Sequence, residues 1–110
     1  MNQADITWEG ASGAKYGYWI RSFYTDWKEL PGNYIYAKET APDSGKWIAV
    51  YVGQTMNLRN RLAGHEKEAE AIRNGATHIH AHTSSSNESE RVAEERDLIM
   101  KLNPPCNERL

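Results

Sequence analysis

Two tyrosine-bearing runs of strand-forming residues, 33–38 and 46–52, stand on either side of Glu39-Thr40-Ala41-Pro42-Asp43-Ser44-Gly45, whose Pro, Asp, Ser and Gly favour a reversal of the chain. An antiparallel hairpin with Tyr34 and Tyr51 at its open end follows, and the rest of the chain must be built onto it. Behind the hairpin, Leu58, Leu62, Ala69 and Ile72 recur near helical spacing, Asn57 can cap and Asn74-Gly75 can stop, which predicts one helix of about five turns over 57–74. His78-Ile79-His80-Ala81-His82-Thr83 alternates with period two and reads as a short strand. Ser84-Ser85-Ser86 reads as a loop, and Asn87-x-x-Glu90 has the capping-box pattern of a helix that runs to Leu102 and stops at Asn103-Pro104-Pro105. Ahead of the hairpin, Gly10-Ala11-Ser12-Gly13 reads as a turn and the aromatic run 16–24 as an extra N-terminal strand or hairpin. Strands, helix, strand, helix: the order implies an α+β domain with a small, mostly antiparallel β-sheet flanked by helices.

A chain of 110 residues that is 39% hydrophobic holds one core, so residues 1–110 are expected to form a single domain. The net charge of -2 argues against a protein that coats nucleic acid, but leaves room for a small basic groove on an acidic body. Any DNA binding should then be modest and salt-sensitive. No apolar run is long enough for a membrane span. The start, Met1-Asn2-Gln3-Ala4-Asp5, lacks the basic and apolar regions of a secretion signal, and one cysteine, Cys106, cannot form an internal disulfide. A cytoplasmic setting is the expectation.

Several side chains stand out. On the last helix Val92, Ile99 and Leu102 form an apolar stripe with Glu95 inside it, whereas Glu94 falls toward the polar side. A carboxylate facing a core is costly unless paired or bound to a cation, so Glu95 is either a metal ligand or the partner of Arg91 at i, i+4 spacing. Arg61 and His65, four apart on the predicted helix, project from one face, and a guanidinium there can hold two phosphate oxygens. Arg59 points elsewhere, as a solvated or DNA-backbone charge. Tyr34 and Tyr36 share a strand face, and Tyr51 comes near Tyr34 across the hairpin. A phenol of pKa ~10 is a useful base at neutral pH only if nearby cations lower that value.

Taken in order, these residues resemble the GIY-YIG nuclease family. Gly32-Asn33-Tyr34 and Tyr51-Val52-Gly53 are similar to its two tripeptides; Arg61 follows Gly53 by eight residues and His65 by four more; Glu95 precedes the apolar pair Leu98-Ile99 and the ending Pro104-Pro105-Cys106-Asn107. The resemblance spans residues 31–107. It implies a metal-dependent endonuclease acting on DNA phosphodiester bonds, with Tyr34, Tyr51, Arg61, His65 and Glu95 catalytic and Gly53 and Asn107 supporting. One Mg²⁺ or Mn²⁺ on Glu95 would stabilise the leaving 3′-oxygen, Arg61 would grip the phosphate, Tyr34 would activate water with its proton passing toward solvent or His65, and Tyr51 would orient the phosphate or water. Two positions depart from the pattern: Asn33 replaces an apolar residue, and Gln54 stands where some members carry lysine.

Other readings stay open. A module with the same fold but no catalysis would bind nucleic acid or a protein through the cleft, and an RNA substrate is compatible with the motif. Branched or structured DNA also fits the motif, with selectivity from the loop 39–45, a homodimer or a partner protein. His78, His80 and His82 share a strand face, which invites zinc, although a flat strand does not converge three ligands and the bland reading is a polar face opposite Ile79 and Ala81. The aromatics between Tyr16 and Trp27 suit either core packing or the stacking of unpaired bases. Cys106, without an acid-base partner, reads as a spacer.

Overall fold

The computed structural model describes residues 4–84 and 86–107; residues 1–3, Ser85 and 108–110, which include the start of the chain and part of the serine loop discussed above, lie outside the described residues. Five strands form one antiparallel sheet in the order β1-β2-β5-β3-β4, with β1 Ile6–Glu9, β2 Lys15–Arg21, β3 Gly32–Glu39, β4 Trp47–Thr55 and β5 His78–Thr83. Three helices accompany it, α1 Leu58–Leu62, α2 Glu68–Arg73 and α3 Glu88–Leu102. This is the α+β arrangement the element order implies. The N-terminal extension is a hairpin, β1 against β2, and β2 ends at Arg21, short of the aromatic run's end.

Each face of the sheet carries its own apolar cluster, because alternate side chains of β3 go to opposite sides. Tyr34 and Tyr36 join Ile79, Ala81, Leu58, Leu62 and Ala71 under α1 and α2. Ile35 and Ala37 join Trp8, Tyr18, Val52 and Leu98 under α3. Full burial of such aliphatic side chains contributes about 1.5–3 kcal/mol each.

One irregularity breaks the alternation. Tyr36 pairs with Tyr51 but Ala37 pairs with Ala49, leaving Val50 as an extra residue in β4. This β-bulge turns both Val50 and Tyr51 toward the α1/α2 face, while Ala49 and Val52 go to the other. It also corrects the hairpin drawn from sequence: Tyr34 sits opposite Gly53, and Tyr51 lies deeper, opposite Tyr36.

The predicted helix over 57–74 is two short helices. Asn57 caps α1 as expected, its side chain accepting from the Asn60 N–H at 3.2 Å, but α1 stops at Leu62 and Gly64 lies in the connection. Ile72, assigned to the buried side, is 49% exposed, and the residue under α2 is Ala71. On α3 the cap is Asn87, which accepts from the Ser89 N–H at 2.9 Å, and Asn103 closes the helix in the left-handed conformation ahead of Pro104. The fully buried members of α3 are Arg91 and Leu98; Val92, Ile99 and Leu102 are half-buried.

Candidate active site

Tyr34 is almost fully buried on β3, and its ring lies across the strand opposite. Gly53 makes that possible: a Cβ at residue 53 would overlap the Tyr34 phenol, so the glycine of Tyr51-Val52-Gly53 is required by close approach. The bulge brings Tyr51 alongside, with ring centroids 6.4 Å apart. His65 completes the cluster from the connection between α1 and α2, its ring 5.4 Å from that of Tyr34 and 5.2 Å from that of Tyr51. The sequence placed His65 on a helix face with Arg61; instead a tertiary contact pulls it inward, out of helical geometry.

His65 makes two hydrogen bonds that fix its proton. Its Nδ1 accepts from the Lys67 N–H at 3.0 Å, and its Nε2 lies 2.6 Å from the Tyr34 hydroxyl oxygen. Burial first, and the Arg61 charge second, push its pKa down to about 4, so the ring is neutral near pH 7. A neutral ring that accepts at Nδ1 carries its proton on Nε2. His65 therefore donates to the Tyr34 oxygen, and the phenolic hydrogen of Tyr34 is directed elsewhere. The route expected from sequence, in which Tyr34 hands its proton to His65, is closed in this tautomer.

Arg61 holds both oxygens of Glu66 at 2.7 Å. That fork-to-fork pair is the geometry in which a guanidinium would take a phosphate. Arg61 depresses the Glu66 pKa to about 2. Arg61 also acts on Tyr34, favouring the phenolate, but burial outweighs it and the Tyr34 pKa is raised well above the ordinary phenol value; burial raises that of Tyr51 too. The expectation that neighbouring cations would bring this phenol below its usual range is not met by the chain's own charges.

Glu95 is half-buried, its carboxylate has no hydrogen-bond or ion-pair partner among the described residues, and burial raises its pKa. Its charge reaches both Tyr34 and Tyr51. Among the described residues no three His, Cys, Asp or Glu side chains gather as a metal cage. A desolvated carboxylate whose charge reaches Tyr34 and Tyr51 nonetheless suits Mg²⁺, which binds through one or two carboxylates with waters and phosphate oxygens.

Two supports hold these parts in place. The Asn107 amide acts like a strand backbone along the free edge of β4: its Oδ1 accepts from the Val52 N–H at 2.8 Å and its Nδ2 donates to the Val52 carbonyl at 2.9 Å. Asn33, the polar departure from the family pattern, donates to the Arg91 carbonyl at 3.0 Å and accepts from Ser84 Oγ at 2.6 Å. It ties β3 to the helical turn preceding Glu95. Gln54 accepts from Arg91 Nε at 3.0 Å, so it too serves α3.

Two sequence readings change. Glu94 is not on a polar face; it accepts from the Tyr18 hydroxyl and faces His82 Nε2, both at 2.7 Å. The histidines of β5 share a face but not a ligand: His80 Nδ1 accepts from Trp8 Nε1, His82 meets Glu94, and His78 meets Thr77. That face is covered, with His80 wholly buried and its Nε2 without a partner among the described residues. Arg59 is held by Asp26 at 3.1 Å. Glu66 drew no reading from the sequence, although an acid five residues after an arginine can take its fork; Tyr36, which shares a strand face with Tyr34 as expected, has a buried hydroxyl without a partner among the described residues.

No family model and no curated protein matches the chain by comparison. Solved structures do. The magnesium-bound GIY-YIG N-terminal endonuclease domain of UvrC from Thermotoga maritima is similar with a TM-score of 0.59 and 26% identity, over 74% of this chain and 88% of that one. An asparagine-to-alanine form of the same domain, bound to its catalytic divalent cation, gives 0.59 and 25% over 76% and 88%. A tyrosine-to-phenylalanine form gives 0.58 and 28% over 76% and 88%. The chain has the fold of the GIY-YIG endonuclease domain, a nuclease fold, as the motif implied.

Proposed function

We propose that the protein is a metal-dependent endonuclease that hydrolyses DNA phosphodiester bonds, with Tyr34, Tyr51, Arg61, His65 and Glu95 as its reacting set. The observation that carries the reading is the Tyr34 oxygen, which accepts a hydrogen bond from His65 Nε2 at 2.6 Å beside Arg61 and within the field of Glu95. With its oxygen oriented by His65, Tyr34 can release its phenolic proton toward solvent and take one from an attacking water. The phenolate so formed would be held by the His65 N–H and the Arg61 charge. Arg61 would exchange Glu66 for two oxygens of the scissile phosphate, and Tyr51 would fix the water or phosphate opposite. A divalent cation held by Glu95, Mg²⁺ or Mn²⁺, would supply charge to offset the leaving 3′-oxygen. A solved structure similar to this chain is an endonuclease domain bound to magnesium, which supports the same reading.

Incubation with supercoiled plasmid and Mg²⁺ or Mn²⁺ is expected to give nicked or linear product, lost on adding EDTA. Absence of cutting on plasmid and on a panel of branched DNAs would favour a silent binding module. A second expectation concerns Glu66, which competes with phosphate for Arg61. Glu66→Gln should tighten binding to duplex DNA several-fold at low salt, measured by anisotropy in EDTA, because it removes a negative charge and frees a cation. Unchanged affinity would mean that Arg61 does not meet the backbone.

A further inference from the structure

The chain between β2 and β3, residues 22–31, packs on the α1/α2 face of the sheet and walls one side of an open cavity of about 250 Å³ beside Trp19, Trp27, Leu58 and Ala81. We propose that this cavity receives the base of an unpaired DNA nucleotide close to the cleavage position, which makes DNA with a single-stranded branch the preferred substrate class. The proposal rests on the nuclease reading above and extends it to what that site selects.

Register sets the distance. Tyr34 pairs with Ala81, and Ala81 pairs with Trp19, so the three occupy one row on one face of the sheet. Two strand spacings separate Trp19 from Tyr34, about 10 Å. Stacked bases rise about 3.4 Å each, so the cavity lies within roughly three nucleotides of the reacting phenol, and fewer if the strand is unstacked. Ala81, between them, is small and lies buried at the floor of the cavity.

The lining fits a base and not a duplex. Trp19 and Trp27 are half-buried, and neither indole N–H finds a partner among the described residues, whereas Trp8 spends its N–H on His80. Two indoles with free donors offer both a stacking face and a hydrogen bond to a base carbonyl or phosphate oxygen. A paired base has its faces covered by neighbours and shows only its edges in the grooves, so it cannot enter. At the rim, the exposed Asp26 is paired with Arg59 at 3.1 Å. Arg21, bonded to Asp5, lies 5.5 Å from the Trp19 ring centre, and the exposed Lys28 has no ion-pair partner among the described residues. The mouth therefore presents a cation to a backbone phosphate.

The test measures binding in EDTA, by anisotropy of labelled DNA, to a flap substrate carrying a single-stranded dT branch and to a blunt duplex of matching sequence. Wild type is expected to prefer the flap by about tenfold, given what one stacked base contributes. Trp19→Leu should lose that preference while keeping its duplex affinity. Lys28→Ala, an exposed change that leaves the core intact, should weaken flap binding and lower the salt slope by about one. Equal affinity of wild type for both DNAs, or flap binding untouched in both variants when circular dichroism shows them folded, would overturn the proposal. Plasmid cutting separates the two readings: a protein that cuts but shows no flap preference overturns only the cavity, and one that prefers flaps yet cuts nothing overturns only the nuclease.

Discussion

Glu95→Gln is expected to abolish DNA cleavage, by about 10³-fold or more, while leaving the protein at least as stable as wild type. The loss follows from the charge: a neutral amide cannot hold a divalent cation that offsets several kcal/mol of transition-state charge. The gain follows from burial. Because the folded-state pKa of Glu95 lies above its ordinary value near 4.5, the folded chain holds that proton more tightly than the unfolded one. Its contribution to stability is complete below that ordinary value and is lost as pH rises through the raised one. Wild type and variant should therefore melt alike in acid, and the variant should melt higher at neutral pH. Magnesium should raise the melting temperature of wild type only, on the order of 5 °C at a tenfold excess over Kd. A variant that melts lower than wild type at neutral pH, or that responds equally to magnesium, would show that Glu95 is a structural acid.

Tyr34→Phe is the second large effect. Cleavage should fall by about 10²–10⁴-fold, the usual contribution of a general base. The variant keeps the ring packing but strands the His65 Nε2–H, a buried donor left unmet, at a cost of about 1–3 kcal/mol that a melt will read. The pH profile distinguishes a base from a mere support. Burial raises the Tyr34 pKa above the ordinary phenol value, so the phenolate is scarce throughout the neutral range and grows tenfold per pH unit. The wild-type rate should climb with that slope between about pH 6 and 9. A flat wild-type profile, or a Phe variant that retains full rate, would remove Tyr34 from the chemistry.

The strands were legible because β-branched and aromatic runs between strong breakers leave few alternatives, and the reversal at 39–45 and the stop at Asn103-Pro104 are local chemistry. The residues of the site were legible as a set because the spacing of the resemblance does not depend on knowing the path of the chain. The path itself was less so. Residues 57–74 have helical spacing, yet His65 forms a hydrogen bond to Tyr34, 31 residues away, and a 110-residue pattern gives no notice of that pull. Along α3 the apolar stripe was placed on Val92 and Ile99 when Arg91 and Leu98 are the buried pair, a shift of one residue, or about 100° of turn. That shift hid Glu94, whose partners Tyr18 and His82 come from β2 and β5. Buried polar networks assembled from three elements are invisible to periodicity, since each member looks solvated in its own segment.

The extra residue at Val50 gives β4 a parity. On an unbulged strand Tyr34 on β3 and Tyr51 on β4 would still each have a face, but the face of Tyr51 would be decided by a count, odd or even, from the Trp47 end, where Trp47 and Ala49 are committed to α3. With Val50 kept and the bulge pulled flat, strict alternation from that end would turn Tyr51 away from His65 and toward Leu98 without removing a single member of the motif from the sequence. A chain of this kind can thus keep every recognisable letter of its signature and be inert, and the bulge at Val50 is as much a part of the signature as the tyrosine that follows it.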